Sequence, residues 1–411
     1  MSQTTSIPVF VRLLMLLAAL SSPSIVSAQS TAASSNAQAA QAQPASDRWF
    51  HPYAIFVINA NMNSGALLPG GFAVFALPEG PQRDREQFNL SPANSLFGAA
   101  FTFPSISDTK VGGKIDMTLR GSSPLNNQNT FAPLFGNVYL DLTYEPVRFV
   151  FGQAQDVVSP LVPTTLNFYP LSYTPGSLGF FRPQFRVETT FGVGDDSHVF
   201  LQGALAQPIQ TFQISNEAIA TQSGWPDFQG RAALAAGPAN PAGQRKFEFG
   251  IWGHFGERSL TMDSGEVAFN DSYSFGFDGR VQLLARTKIQ GEYFTGQLVG
   301  DYMGAIFQTF DPISGIPVDA QGFWAEVEHG LNEKMQVHVG YGVDNVEEEG
   351  GVAQLFARNQ NSNIYGNLFY GFSPELSVAG EVSWWKTKYI GLEDGRPFRF
   401  EMSLIYKWIG R

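Results

Sequence analysis

The feature that most restricts the fold of this chain is an alternation of apolar and polar side chains with a period of two, running from Tyr53 almost to the C-terminus. Successive residues of an extended strand point to opposite faces, so the pattern describes strands that are apolar on one side only; a helix would need a period of about 3.6. The last segment displays it most fully. Phe398, Phe400, Met402, Leu404, Tyr406 and Trp408 share one face, while Arg399, Glu401, Ser403 and Lys407 share the other, with Ile405 the exception. Ile115, Met117 and Leu119 likewise alternate with Lys114, Asp116, Thr118 and Arg120, and Phe247, Phe249 and Ile251 with Lys246, Glu248 and Gly250.

Sixteen such segments follow one another: residues 53–60, 97–104, 111–120, 136–144, 147–153, 183–191, 198–207, 228–236, 245–254, 273–284, 286–297, 321–329, 334–343, 363–371, 376–388 and 397–408. The stretch Phe72 to Leu77 is bracketed by Pro69, Gly70, Gly71 and Pro78 and is assigned to a loop; were it and another loop segment to pair, the count would be eighteen. The links alternate in length. Glu145-Pro146, residues 192–197, Ala285, residues 330–333 and residues 372–375 are short, whereas 61–96, 121–135, 154–182, 208–227, 255–272, 298–320 and 344–362 are long. Short turns at one end and long loops at the other are the arrangement of a transmembrane barrel, with short turns and both termini in the periplasm.

A soluble β-sandwich would also alternate, but its apolar face would be a core rich in Val, Ile and Leu under a charged exterior. Here charged residues make up 15% of the chain, with 36 Phe and 42 Gly, against about 25% charged in an average soluble domain. Tyr144, Trp384, Tyr389, Tyr406 and Trp408 near strand ends resemble the aromatic girdles of a lipid-facing wall. The expected fold is therefore all-β: a closed transmembrane antiparallel β-barrel of about sixteen strands. No apolar run after residue 28 reaches the roughly 20 residues of a membrane helix.

Arg12, the apolar run Leu13 to Leu20 and the small residues ending Val26-Ser27-Ala28 have the layout of a secretory signal peptide over residues 1–28. Residues 29–47, rich in Ala, Ser and Gln, are expected to be a flexible periplasmic tail, which leaves 48–411 for the barrel and points to the bacterial outer membrane. No cysteine is present, which excludes disulfide frameworks, thiolate metal sites and cysteine nucleophiles. The net charge of −11 argues against nucleic acid as a partner.

Five histidines, His51, His198, His254, His329 and His338, lie in no metal-binding spacing, and the chain has no G-x-S-x-G elbow. No cofactor or metal is expected. His254 and His338 face inward by phase, where solvation is the ordinary state. Thr118, Thr143, Gly152, Thr190, Gly250 and Gly276 are small or polar inward positions that leave room for a water-filled pore, hence passive diffusion of small hydrophilic solutes. The alternatives are a membrane enzyme, which would need a Ser or Asp beside a His on facing strands, and a structural or adhesive barrel with a filled lumen.

The most distinctive stretch reads Arg148-Phe149-Val150-Phe151-Gly152-Gln153, then a loop rich in Pro, Asn and aromatics, then Phe181-Arg182-Pro183-Gln184-Phe185-Arg186-Val187-Glu188. Over about residues 147–191 it resembles the DcaP-like trimeric porins. That resemblance implies a sixteen-stranded homotrimeric barrel whose third loop folds inward as a constriction and passes small anionic solutes such as dicarboxylates. Arg182 and Arg186 match the basic residues of the family's strand-start motif, and Gln153 its strand-end glutamine. The chain departs from the family in two respects: no sustained heptad follows the leader, and the C-terminus is Trp408-Ile409-Gly410-Arg411 rather than an aromatic.

Strand phase turns Arg148, Gln184, Arg186 and Glu188 inward with Arg182 at the rim, and Lys114 and Arg120 share that phase. The expected solute path thus comprises Lys114, Arg120, Arg148, Gln153, Arg182, Arg186 and Glu188. Cations at a constriction would favour anions, unless inward acids such as Asp116, Asp141 and Glu188 neutralise them.

Overall fold

A computed structural model describes residues 49–411 apart from 70, 81–84, 122–131, 210–220, 223, 241–242, 262–266, 311–315, 348–356 and 411. The expected leader and periplasmic tail lie outside the described residues.

The first strands are β1 (Phe50–Asn63), β2 (Leu67–Pro69), β3 (Ala73–Ala76), β4 (Gln87–Ser91), β5 (Leu96–Ile106), β6 (Thr109–Gly121) and β7 (Ala132–Tyr144). Next come β8 (Val147–Gln155), β9 (Phe181–Gly192), β10 (Ser197–Ala206), β11 (Thr221–Gln222), β12 (Asp227–Ala239), β13 (Arg245–Thr261) and β14 (Val267–Leu284). The last are β15 (Thr287–Gln297), β16 (Asp319–Gly330), β17 (Met335–Val346), β18 (Arg358–Gly371), β19 (Leu376–Tyr389) and β20 (Phe398–Ile409). Each wall strand pairs antiparallel with its neighbours, and β1 closes the ring on β20 from Tyr53↔Ile409 to Asn63↔Arg399. β4 and β5 lie end to end on the other edge of β1 as one stave, and β11 sits on β13 beyond the end of β12. The wall therefore has sixteen staves. Closure leaves no unpaired sheet edge, which a wall in lipid requires.

The outward face of the wall is apolar, as the alternation dictates. Phe151 and Phe185, cross-strand neighbours on β8 and β9, have ring centroids 5.0 Å apart and point away from the lumen. Phe56, Ile58, Phe249, Ile251, Phe275, Met402 and Leu404 are all more than 40% exposed. An apolar surface continued around a whole barrel is stable against lipid and not against water. Tyr144, Trp384, Tyr406 and Trp408 are exposed on it, whereas Tyr389 faces inward and donates its hydroxyl to the carbonyl of Ala76. Ile405, the exception to the alternation, is fully buried inside, in a cluster with Tyr53, Val57 and Leu166.

Two sequence expectations need correction. The long link assigned to 255–272 is mostly strand, because β13 and β14 continue pairing to Thr261↔Val267. Glu257, Arg258, Asn270 and Asp271 occupy paired strand positions. Phe72 to Leu77 does contain a strand, β3, but it pairs only with β2 in a separate hairpin and adds no stave to the wall.

Among the described residues, that hairpin is one of three connections that fold into the barrel. The others are residues 156–180 and residues 298–310, the latter carrying two short 3-10 turns, Gly300–Tyr302 and Ala305–Phe307. Phe75 of the hairpin, Tyr173 of the 156–180 connection and Ile306 and Phe307 of the 298–310 connection share one buried cluster with Trp385 of β19. The lumen thus contains a small hydrophobic core of its own.

Candidate functional site

Residues 156–180 form the third long connection and have no regular secondary structure, so their backbone N–H groups need partners from elsewhere. The wall supplies carboxylates. Glu292 of β15 accepts from Leu161 N at 2.7 Å and from the Ser159 hydroxyl; Glu326 of β16 accepts from Thr164 N at 2.6 Å; Glu381 of β19 accepts from Leu166 N at 2.7 Å and Thr165 Oγ1 at 2.6 Å. Trp324 Nε1 and Tyr365 OH donate to Glu292 and Glu326 from the wall itself. Asn167 exchanges two bonds with the backbone of Ala73, joining this loop to the β2–β3 hairpin. Gly176 adopts φ +87, and a Cβ there would collide with the carbonyl oxygen of Phe323, so the close approach to β16 requires glycine.

Where the loop leaves and rejoins the wall, a buried ionic cluster holds it. Arg182 Nε lies 2.7 Å from Asp156, and the same guanidinium reaches Asp227 at 3.3 Å and Asp301 at 3.5 Å. Arg258 binds Asp227 at 2.8 Å and Asp301 at 2.5 Å, and Tyr302 places its ring 3.7 Å from the Arg182 guanidinium carbon. The cluster ties β9, β12 and β13 to the third connection and to the first 3-10 turn. Arg182 stands at the start of β9 and is fully buried, so it is closed off from the solute path in which it was expected.

The third connection thus lies against β15, β16 and β19, and on β6–β9 part of the inward face is buried, Val150, Thr118 and Arg182 among it, while several charged side chains keep some exposure. There Arg148 is 25% exposed at its side chain, Asp141 18%, Arg186 12% and Lys114 11%, which means water reaches them. Arg148 pairs with Asp141 at 3.1 Å and Glu188 at 2.9 Å, Arg186 with Glu188 at 3.1 Å, and Lys114 with Asp116 at 3.1 Å. Arg120 is held by neutral oxygens, Asn94 Oδ1 at 2.6 Å and Gly71 O at 3.0 Å, and no described carboxylate pairs with it. The four cations Lys114, Arg120, Arg148 and Arg186 therefore face three carboxylates, Asp116, Asp141 and Glu188.

Gln153 does not belong to this surface. Its cross-strand partner Pro183 points outward, as do Phe151 and Phe185 beside them. The Gln153 amide instead donates to the carbonyls of Phe135 and Gly136, where β7 slips register against β6 and leaves backbone oxygens unmatched. Two of the small inward positions also fail to leave space: a Cβ on Gly276 would strike Trp252, and one on Gly250 would strike Arg231 and Asp278. These glycines make room for bulky neighbours rather than for solute. Sequence reasoning gave no role to Glu292, Glu326 or Glu381, although strand phase turns all three inward; nothing in the pattern says which loop reaches them.

His254 and His338 are buried, not solvated. His254 meets the geometric condition set for a membrane enzyme, with Ser274 Oγ 2.6 Å from Nδ1 and Ser272 Oγ 3.0 Å from Nε2. Both ring nitrogens are thereby occupied by hydroxyls, no carboxylate orients the ring, and Tyr302 stacks over it at 4.1 Å. The arrangement braces the 298–310 connection, with Ser272 and Ser274 both buried and Ser272 donating to Leu298 O.

No family model and no curated protein sequence matches the chain. Solved structures do. The outer membrane channel DcaP of Acinetobacter baumannii superposes with a TM-score of 0.69 at 14% identity, over 87% of this chain and 97% of that one. The fold is that of the outer-membrane porins. An anion-selective porin from Comamonas acidovorans aligns with a TM-score of 0.54 at 10% identity, covering 87% of this chain and 99% of its own. The trimer form of OmpT, an outer membrane protein of Vibrio cholerae, gives a TM-score of 0.52 at 12% identity, covering 87% and 99%. Among the described residues, inward charges that keep some exposure stand on β6–β9, as Lys114, Arg148 and Arg186, and on β15 and β16, as Lys288 and Glu328.

Proposed function

We propose that the chain is an outer-membrane porin, exported by the leader 1–28, that passes small hydrophilic solutes by diffusion and prefers anions, dicarboxylates among them. The observation that carries this reading is the disposition of the inward charges. On β15, β16 and β19 the carboxylates Glu292, Glu326 and Glu381 are spent on the backbone of the third connection and the partly exposed Glu328 is paired with Lys288, while on β6–β9 Lys114, Arg148 and Arg186 keep some exposure. Acids covered by the third connection are kept out of direct contact with a passing ion, whereas partly exposed cations can meet it at short range. Ion pairing on β6–β9 reduces the field without cancelling it, because Arg120 has no carboxylate partner among the described residues. The likeness to an anion-selective porin and to a trimeric outer membrane protein supports anion preference and a homotrimer. Liposome swelling tests the reading. Proteoliposomes should swell quickly in small sugars and in succinate and more slowly as solute size grows; rates equal to those of protein-free liposomes would refute it.

A further inference from the structure

Glu326, Glu328 and His338 form a second centre on the inner wall, which the solute path does not use. We propose that these three residues bind one divalent transition-metal cation of the Zn2+ class. Each offers one ligand atom, and the three atoms lie within 4.8 Å of one another. Glu328 and His338 are cross-strand partners on β16 and β17, and Glu326 is two residues along β16, so the pleat brings all three to one face. Rigid strands set the spacing, not loops.

The tautomer of His338 is fixed from outside the group. Asn367 donates its amide hydrogens to Thr164 O at 2.7 Å and to Glu381 at 3.0 Å, which turns its oxygen toward His338 Nδ1 at 2.8 Å. Nδ1 must then carry the proton, and the lone pair of Nε2 faces the Glu328 carboxylate 3.8 Å away. His338 is 3% exposed and Glu328 24% at its side chain, and with the ring neutral two acceptors face each other at 3.8 Å, the same Glu328 oxygen being held from its other side by Lys288 at 2.7 Å. A cation between them removes the conflict. An imidazole whose other nitrogen donates to an amide oxygen is the usual state of a metal-ligating histidine.

The charge around the group favours the same ligand. Glu326 accepts from Thr164 N, Tyr365 OH and Gln290 Nε2, all of them neutral donors. One nitrogen and two carboxylate oxygens, without sulfur, suit Zn2+ and its neighbours better than Ca2+ or Mg2+, which prefer oxygen alone, and they leave a fourth position for water. Lys288 Nζ stands 2.7 Å from Glu328 Oε2 and is the resident competitor. Its side chain is 12% exposed on a flexible stem, so it can swing away, and metal affinity is lowered by the work of displacing it.

Calorimetric titration of tag-free protein in detergent with ZnCl2 tests the site without requiring a channel, so its result is independent of the porin reading. One ion should bind per chain. His338→Ala and Glu328→Gln should each weaken binding by about tenfold or more, and Lys288→Met should tighten it. Glu328→Gln keeps side-chain shape at a partly exposed position, and so carries the test if His338→Ala fails to fold. Absence of saturable binding to the wild type, or full affinity in the variants that fold, would overturn the proposal.

Discussion

Arg148 is more open to water than Arg186 or Lys114, and two carboxylates share it. Replacing it with Ala leaves Asp141 and Glu188 with one fewer positive neighbour, so the local field turns toward cations. Reversal potentials in a salt gradient should show reduced anion preference in Arg148→Ala and a smaller reduction in Arg186→Ala, whose partner Glu188 keeps Arg148. An unchanged potential in both would mean that the pairs only brace the wall. Arg182 belongs to a different regime. It is fully buried with three carboxylates within 3.5 Å, and removing one partner from a buried ionic cluster typically costs about 3–5 kcal/mol. Arg182→Met should lower the denaturant midpoint of the folded barrel strongly, whereas Gln153→Ala, on the outward face, should move selectivity not at all. The phase of Arg148, Arg186 and Glu188 was legible in the sequence because alternation on β8 and β9 is regular there. That of Gln153 follows from the same alternation, since it shares its face with Phe149 and Phe151; the motif resemblance had obscured it.

At the scale of elements, the third connection is held by carboxylates that sit on three different strands. Glu381 alone receives Leu166 N, Thr165 Oγ1 and Asn367 Nδ2. Glu381→Ala orphans those donors at about 1–3 kcal/mol for each group left buried. The expected result is a looser connection, seen as noisier and larger single-channel currents, with an unfolding midpoint below that of the wild type. Currents as quiet as the wild type's would show that the hydrophobic cluster around Leu166 and Tyr169 suffices to seat the loop. Wall strands were readable because each buries one face against lipid and repeats its signal every second residue. The inward connections were not readable in the same way. Their residues are buried by contacts with distant strands, such as Asn361 with Val74 and Asp344 with Ile306, and no local periodicity records those contacts. The third connection was expected to turn inward only through its resemblance to a known family, and the β2–β3 hairpin and the 298–310 segment were not foreseen to do so.

The whole molecule joins an apolar exterior to a lumen that is packed in part, around the inward connections, and keeps partly exposed charges elsewhere. Its strand number and closure were legible because sixteen alternating segments with short and long links leave few other ways to pair every backbone group in lipid. How far the lumen is filled depends on side chains such as Trp252, Trp324 and Trp385, which the alternation identifies as inward but whose packing against loops it does not specify. A homotrimer should appear as a threefold chain mass in detergent, and a monomer mass alone would remove that expectation. The central claim is that a water path survives beside the inward connections. Single-channel recording in a planar lipid bilayer measures it most directly: the wild-type protein should insert in discrete steps of stable conductance, and protein that is folded and membrane-inserted yet leaves the bilayer electrically silent would contradict the account.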